Sequence, residues 1–99
     1  MSKRITQRMI LELLKKELFR PDSPPTYLRR CGTLAPGMSV TEYKPNMKGK
    51  QPSYFSVRAY QGAHVPIHWE SVEMVSLKEA VAWANARAEE AARIWESEE

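Results

Sequence analysis

Hydrophobic residues recur every three or four positions at both ends of the chain and every second position in its middle. Near the start, "KRITQRMILELLKKELFR" (residues 3–20) sets Met9, Ile10, Leu11, Leu13, Leu14 and Leu18 against a polar arc of Arg8, Glu12, Lys15 and Lys16. The stretch lacks Gly and Pro and stops at Pro21, so it predicts a helix. At 100° per residue the apolar arc spans about 200°, wider than the roughly 100° a surface helix needs. That width predicts either a helix wedged between two layers of its own domain or a homodimer contact through this first helix.

"DSPPTYLRRCG" carries a second, shorter helix signal. Ser23 suits the N-cap, Pro24 and Pro25 the first helical positions, and Gly32 the residue after the last turn. Such a helix places Arg29 and Arg30 together at its C-terminal end, where the dipole favours cations. After the turn "TLAPG", "MSVTEYK" reads as a strand rich in strand formers. "PNMKGKQP" reads as a hairpin loop, and "SYFSVRAY" alternates as a second strand. Phe55, Val57 and Ala59 take one face; Tyr54, Ser56, Arg58 and Tyr60 take the other. "HVPIHWESVEMV" reads as a third strand, or two pieces bent near Glu70, with Pro66 favouring a sheet edge.

The last helix has the firmest start. Ser76 and Glu79 form a capping box, and Leu77, Ala80, Val81, Ala84, Ala88, Ala91 and Trp95 follow at helical spacing. The alanines imply close approach to a sheet, with Trp83 and Trp95 as bulky fillers. The expected architecture is a single α+β domain over residues 1–99. It has an N-terminal helix, a short second helix, a three-stranded antiparallel sheet and a long C-terminal helix on one sheet face.

Charge adds an asymmetry. The net charge is +3, yet residues 1–50 hold 11 Lys/Arg against 4 Asp/Glu, and residues 51–99 hold 4 against 8. A basic half fits a nucleic-acid face, or an attraction between the two ends of one domain. Hydrophobic content of 42% argues against wholesale disorder. Cys31 is the only cysteine, which excludes an internal disulfide and fits a reducing, cytoplasmic setting. Glu12 and Lys15 interrupt the first apolar run, so neither a signal peptide nor a membrane span is expected.

Catalytic chemistry finds little footing. His64 and His68 flank Pro66 in an extended stretch, about 13 Å apart, too far to share a metal ion. Cys31 has no orienting partner nearby, the carboxylate pairs sit at a strand end or a solvated helix face, and the glycines are scattered. No enzyme, metal or cofactor is expected. What remains is a surface: Tyr54, Arg58, Tyr60 and Tyr43 on the sheet, rimmed by Lys44, Lys48 and Lys50, with Arg29 and Arg30 as a secondary basic patch. Tyr and Arg concentrate at interface hot spots.

"SYFSVRAY" followed by "SLKEAVAWANARAEEAARI" resembles the arm-type DNA-binding domains of phage integrases. The resemblance implies a sheet laid in the major groove and backed by a helix. Glu70 and Glu73 stand where such domains favour cations. The expectation is therefore a small regulator, adaptor or inhibitor of the kind phages and mobile elements encode, acting on a protein partner. Direct binding of double-stranded DNA through the sheet face and lysine loop is the alternative.

Overall fold

The computed structural model describes residues 4–21, 27–45, 52–61 and 68–97. In chain order these form α1 (Gln7–Lys15), β1 (Arg20–Pro21), β2 (Tyr27–Ala35), β3 (Met38–Pro45), β4 (Tyr54–Gln61), β5 (His68–Val75) and α2 (Leu77–Ser97). The strands make one antiparallel meander in the order β1-β2-β3-β4-β5.

The α+β class stands, but the sheet has five strands rather than three, and the expected short second helix is a strand. Leu28, Arg30, Gly32 and Leu34 alternate with Arg29, Cys31 and Thr33, a period of two that pairs with β3 from Tyr27 to Ala35. Gly32 does not end a helix. A Cβ there would lie 3.2 Å from Leu13 Cγ, so glycine lets α1 sit close on β2. The loop signals Ser23, Pro24 and Pro25 lie outside the described residues, as do Pro66 and the lysine loop from 46 to 51.

The first helix is shorter than its apolar pattern. Thr6 caps it, its Oγ1 accepting from Met9 N at 3.2 Å. The helix ends at Lys15, and the next residues reverse direction to bring Phe19 over the Arg30 guanidinium and β1 onto β2. The wide stripe is resolved accordingly. Ile10 and Leu14 are buried and Met9 and Leu13 partly so, while Leu11 is 45% and Leu18 84% exposed.

Both helices cover one face of the sheet. The core joins Ile5, Ile10 and Leu14 to Met38, Val40, Phe55, Val57 and Ala59, with Ala80, Ala84 and Ala91 from α2. The small α2 residues bring that helix close to β4. Fully burying a side chain the size of Val or Leu contributes about 1.5–3 kcal/mol, so this cluster outweighs any surface pair. Asn85 ties the chain start to α2. Its Oδ1 accepts from Ile5 N and its Nδ2 donates to Ile5 O, both at 2.8 Å, across 80 positions.

Ser76 caps α2 as expected, with Glu79 N donating to Ser76 Oγ at 3.2 Å. The Ser76 hydroxyl in turn donates to Glu79 Oε1 at 3.0 Å. Further along, Arg87 forks onto Glu70 of β5, at 2.9 and 3.0 Å, and lies 4.0 Å over the Trp83 ring. The hydrogen bonds from Arg87 hold the Glu70 carboxyl below its ordinary range. No helix among the described residues is long and apolar enough to cross a membrane.

Gly37, in the β2–β3 turn, has φ +74°. A Cβ there would lie 2.7 Å from the Ala91 carbonyl oxygen and 3.1 Å from Tyr60 Cδ2. Gly37→Ala combines left-handed strain with a backbone clash, so it should destabilise by about 2 kcal/mol or more, read as a lower urea midpoint. A wild-type midpoint would show that the turn is not pressed against α2.

Candidate functional site

The sheet face away from the helices is uncovered among the described residues. Cross-strand register arranges it in rows. Arg20, Arg29, Tyr43 and Tyr54 form one row from β1 to β4. Cys31, Thr41 and Ser56 form the next, and Thr33, Ser39, Arg58 and Ser71 the one after. Tyr60 and Trp69 close the far end. The face is therefore a band of small, mostly hydroxyl side chains with aromatic groups at both ends. A shallow trough of about 350 Å³ runs over the band, flanked by Arg29, Tyr43, Arg58 and Glu73.

The expected site residues divide. Tyr43, Tyr54, Arg58 and Tyr60 do share this face, with Tyr43 and Tyr54 directly opposite each other. Lys44 does not. It follows Tyr43 and points to the helix side, where its Nζ lies 6.0 Å from the Phe19 ring. Lys48 and Lys50 lie outside the described residues. Arg29 and Arg30 also part company, because neighbours in a strand face opposite ways. Arg29 is on the outer face and exposed. Arg30 faces inward, where its Nε donates to Glu42 Oε1 at 2.7 Å and its guanidinium lies 4.2 Å over Phe19.

Tyr60 is not a free phenol. Its ring stacks on Trp69 with centroids 4.0 Å apart and meets Trp95 at 5.1 Å. Trp69 nevertheless stays 45% exposed and Trp95 38%. Arg58 adds its guanidinium 5.8 Å from the Trp69 ring centre, within cation–π range. A recess of about 410 Å³ opens between Trp69, Trp95 and the β2–β3 turn. Sequence reasoning missed both tryptophans as surface residues. Trp95 was expected as a core filler. Trp69 faces outward because it alternates with Glu70, which Arg87 holds on the helix side, a pairing that only the fold reveals.

At the middle of the face, β5 carries an extra residue. Val57 opposes Val72 and Phe55 opposes Val75, so Glu73 and Met74 both stand across from Ser56. Met74 adopts φ 54°, uncommon for a residue with a side chain. Ser56 holds the bulge together. Its Oγ donates to Glu73 Oε2 at 2.9 Å and accepts from Met74 N at 3.1 Å. The strand thus bends at Glu73–Met74 rather than at Glu70.

Cys31 is exposed in the hydroxyl band. No cluster of three or more His, Cys, Asp or Glu residues suited to a metal ion occurs among the described residues. Comparison with known protein families, with curated proteins and with solved structures finds no match for this chain.

Ser56→Ala removes both bonds at the bulge and leaves Met74 N–H without its acceptor. It should destabilise the fold by about 1–3 kcal/mol and speed hydrogen exchange at Met74. Unchanged exchange at that amide would show that the bulge is held by other contacts.

Proposed function

We propose that this chain is a small, non-catalytic interaction protein that docks a partner protein on its outer sheet face. The observation that carries this is the half-exposed Trp69, stacked on Tyr60 and flanked by Arg58, on the sheet face away from the two described helices. Trp, Tyr and Arg are the residue types that dominate binding energy at interfaces. The second aromatic pair, Tyr43 and Tyr54, lies at the other end of the face. Tyr54 and Tyr60 are about 20 Å apart at strand spacing, a span that suits an interface of ordinary size. The hydroxyl band between them offers hydrogen-bond partners without bulk. A regulator, adaptor or inhibitor working in the cytoplasm fits this surface, and the single cysteine is consistent with a reducing compartment. Self-association through α1 would have the exposed Leu11 to use, with Leu18 exposed just beyond the end of the helix.

Trp69→Ala combined with Tyr54→Ala tests the docking reading. A partner recovered from the native host by the wild-type chain, in the presence of nuclease, should bind the double variant at least ~30-fold more weakly, about 2 kcal/mol, while the fold survives. Retained affinity in a folded double variant would end it.

Direct binding of double-stranded DNA is the second reading. It is favoured by Arg20, Arg29 and Arg58 on the outer face, where Glu73 is the one carboxylate among the described residues and is bonded to Ser56. If DNA is the ligand, affinity should fall steeply as salt rises, and Arg29→Glu with Arg58→Glu should abolish it. Absence of a mobility shift on any duplex at low salt would remove this reading.

A further inference from the structure

The aromatic end of the sheet is concave as well as exposed. The recess there draws its lining from three elements: Leu34, Pro36 and Met38 at the β2–β3 turn, Trp69 at the start of β5, and Trp95 near the end of α2. Leu34 is an extra residue on β2. Thr33 opposes Ser39 and Ala35 opposes Met38, so Leu34 stands in a bulge. Bulges re-aim side chains and are frequent beside functional sites. The turn itself is pinned, since Tyr60 N donates to Gly37 O at 2.9 Å and the Gly37 backbone lies against the Ala91 carbonyl. The recess of about 410 Å³ is therefore preformed, and its size is near the lower end of what bound ligands occupy.

Arg58 stands beside it. Its cross-strand neighbours are Ser71 and Ser39, and Ser39 belongs to the recess lining. The exposed guanidinium lies 5.8 Å from the Trp69 ring centre and makes no ion pair among the described residues. Glu73, on the same face, is turned to Ser56.

We infer that the docking surface takes an extended, acidic segment of its partner, with an apolar side chain in the Trp69–Trp95 recess and a neighbouring carboxylate on Arg58. The inference rests on the docking reading and adds the chemistry of the partner. A preformed recess lined by Leu, Pro, Met and two Trp residues accepts a projecting apolar side chain, which a flat protein face does not supply. A carboxylate matches the guanidinium fork with two parallel hydrogen bonds, and the planar fork loses little freedom in making them. The pair is exposed, so it selects among segments more than it tightens binding. A basic segment would bring a like charge to Arg58 and be rejected.

The probe is a capped hexapeptide with Leu-Phe at its centre and Glu or Asp at every other position. Its counterparts carry Lys, or Gln and Asn, at those outer positions. Amide and indole NMR shifts follow the titrations at low salt. The acidic peptide should give saturable shifts at residues 34–39, 58, 69 and 95, and should bind about tenfold more tightly than the lysine peptide. Alanine in place of its Leu and Phe should abolish those shifts. Arg58→Gln, at an exposed position, should weaken the acidic peptide about fivefold, leave the Gln/Asn peptide unaffected and preserve the melting temperature. Equal binding of the lysine peptide, full preference for the acidic one in Arg58→Gln, or shifts centred on Arg20 would overturn the inference. Absence of shifts with all three peptides would overturn it too. The docking reading would survive that result if Trp69→Ala with Tyr54→Ala still weakened a host partner, and would fall separately if it did not. A short DNA duplex that shifts the same residues at lower concentration than the acidic peptide would overturn the inference in favour of nucleic acid.

Discussion

The register of β4 governs everything on the outer face. Phe55, Val57 and Ala59 are buried against the core, and a strand alternates strictly, so Tyr54, Ser56, Arg58 and Tyr60 must face the other way. A slip of one residue would drive Arg58 into the core, where an unpaired cation costs several kcal/mol, and would expose the three apolar residues. β3 and β5 hold β4 on both sides. The bulge on β5 belongs to the same constraint. Val72 and Val75 are three apart, an odd spacing that would put them on opposite faces of a regular strand. The extra residue lets them oppose Val57 and Phe55, which are two apart on β4. Glu73 is then free to reach Ser56 on the outer side.

Where local pattern and tertiary demand agree, the chain was readable in advance. The α2 start at Ser76, the alternation of β4 and the inward set Phe55, Val57 and Ala59 all follow from short-range rules. β2 was not legible, because its segment carries the punctuation of a helix: Ser-Pro-Pro before it and a glycine inside it. Only the presence of α1 above Gly32 explains why that glycine sits mid-strand. The two residues of β1 are likewise created by pairing and not by propensity. On the candidate site, the Tyr/Arg side of β4 could be read from period alone. The division of Arg29 from Arg30, and of Tyr43 from Lys44, required knowing that both pairs lie in strands.

The inward Arg30 shows how the sheet keeps its charges in place. Glu42 is buried, and its carboxylate would be left without a partner if β2 slid by one residue along β3, since Arg30 and Glu42 are direct cross-strand neighbours. A buried pair adds little net stability, but breaking one side of it costs about 3–5 kcal/mol. It therefore acts on register more than on stability. Phe19 covers the guanidinium and ties the reversal after α1 to the same point. That reversal sets β1 against β2, and so sets Arg20 beside Arg29 on the outer side. The outward basic end is thus a consequence of an inward ion pair.

The aromatic end has to be weighed between packing and recognition. Tyr60 touches both tryptophans, so it joins the last turns of α2 to the end of β4, and that is a structural duty. Offset ring pairs of this kind contribute about 0.5–1.5 kcal/mol each beyond their buried area. Trp69 is different. One stacked neighbour satisfies its packing, yet nearly half of it remains in water, on an edge strand beside a cation. An apolar residue that size left open is more than closing the sheet end demands. Trp69 stacks on the same Tyr60 ring that meets Trp95 of α2, so a partner that covered Trp69 would press on a ring in contact with that helix. The docking proposed for this end would therefore act on a ring that packs between β5 and the C-terminal helix.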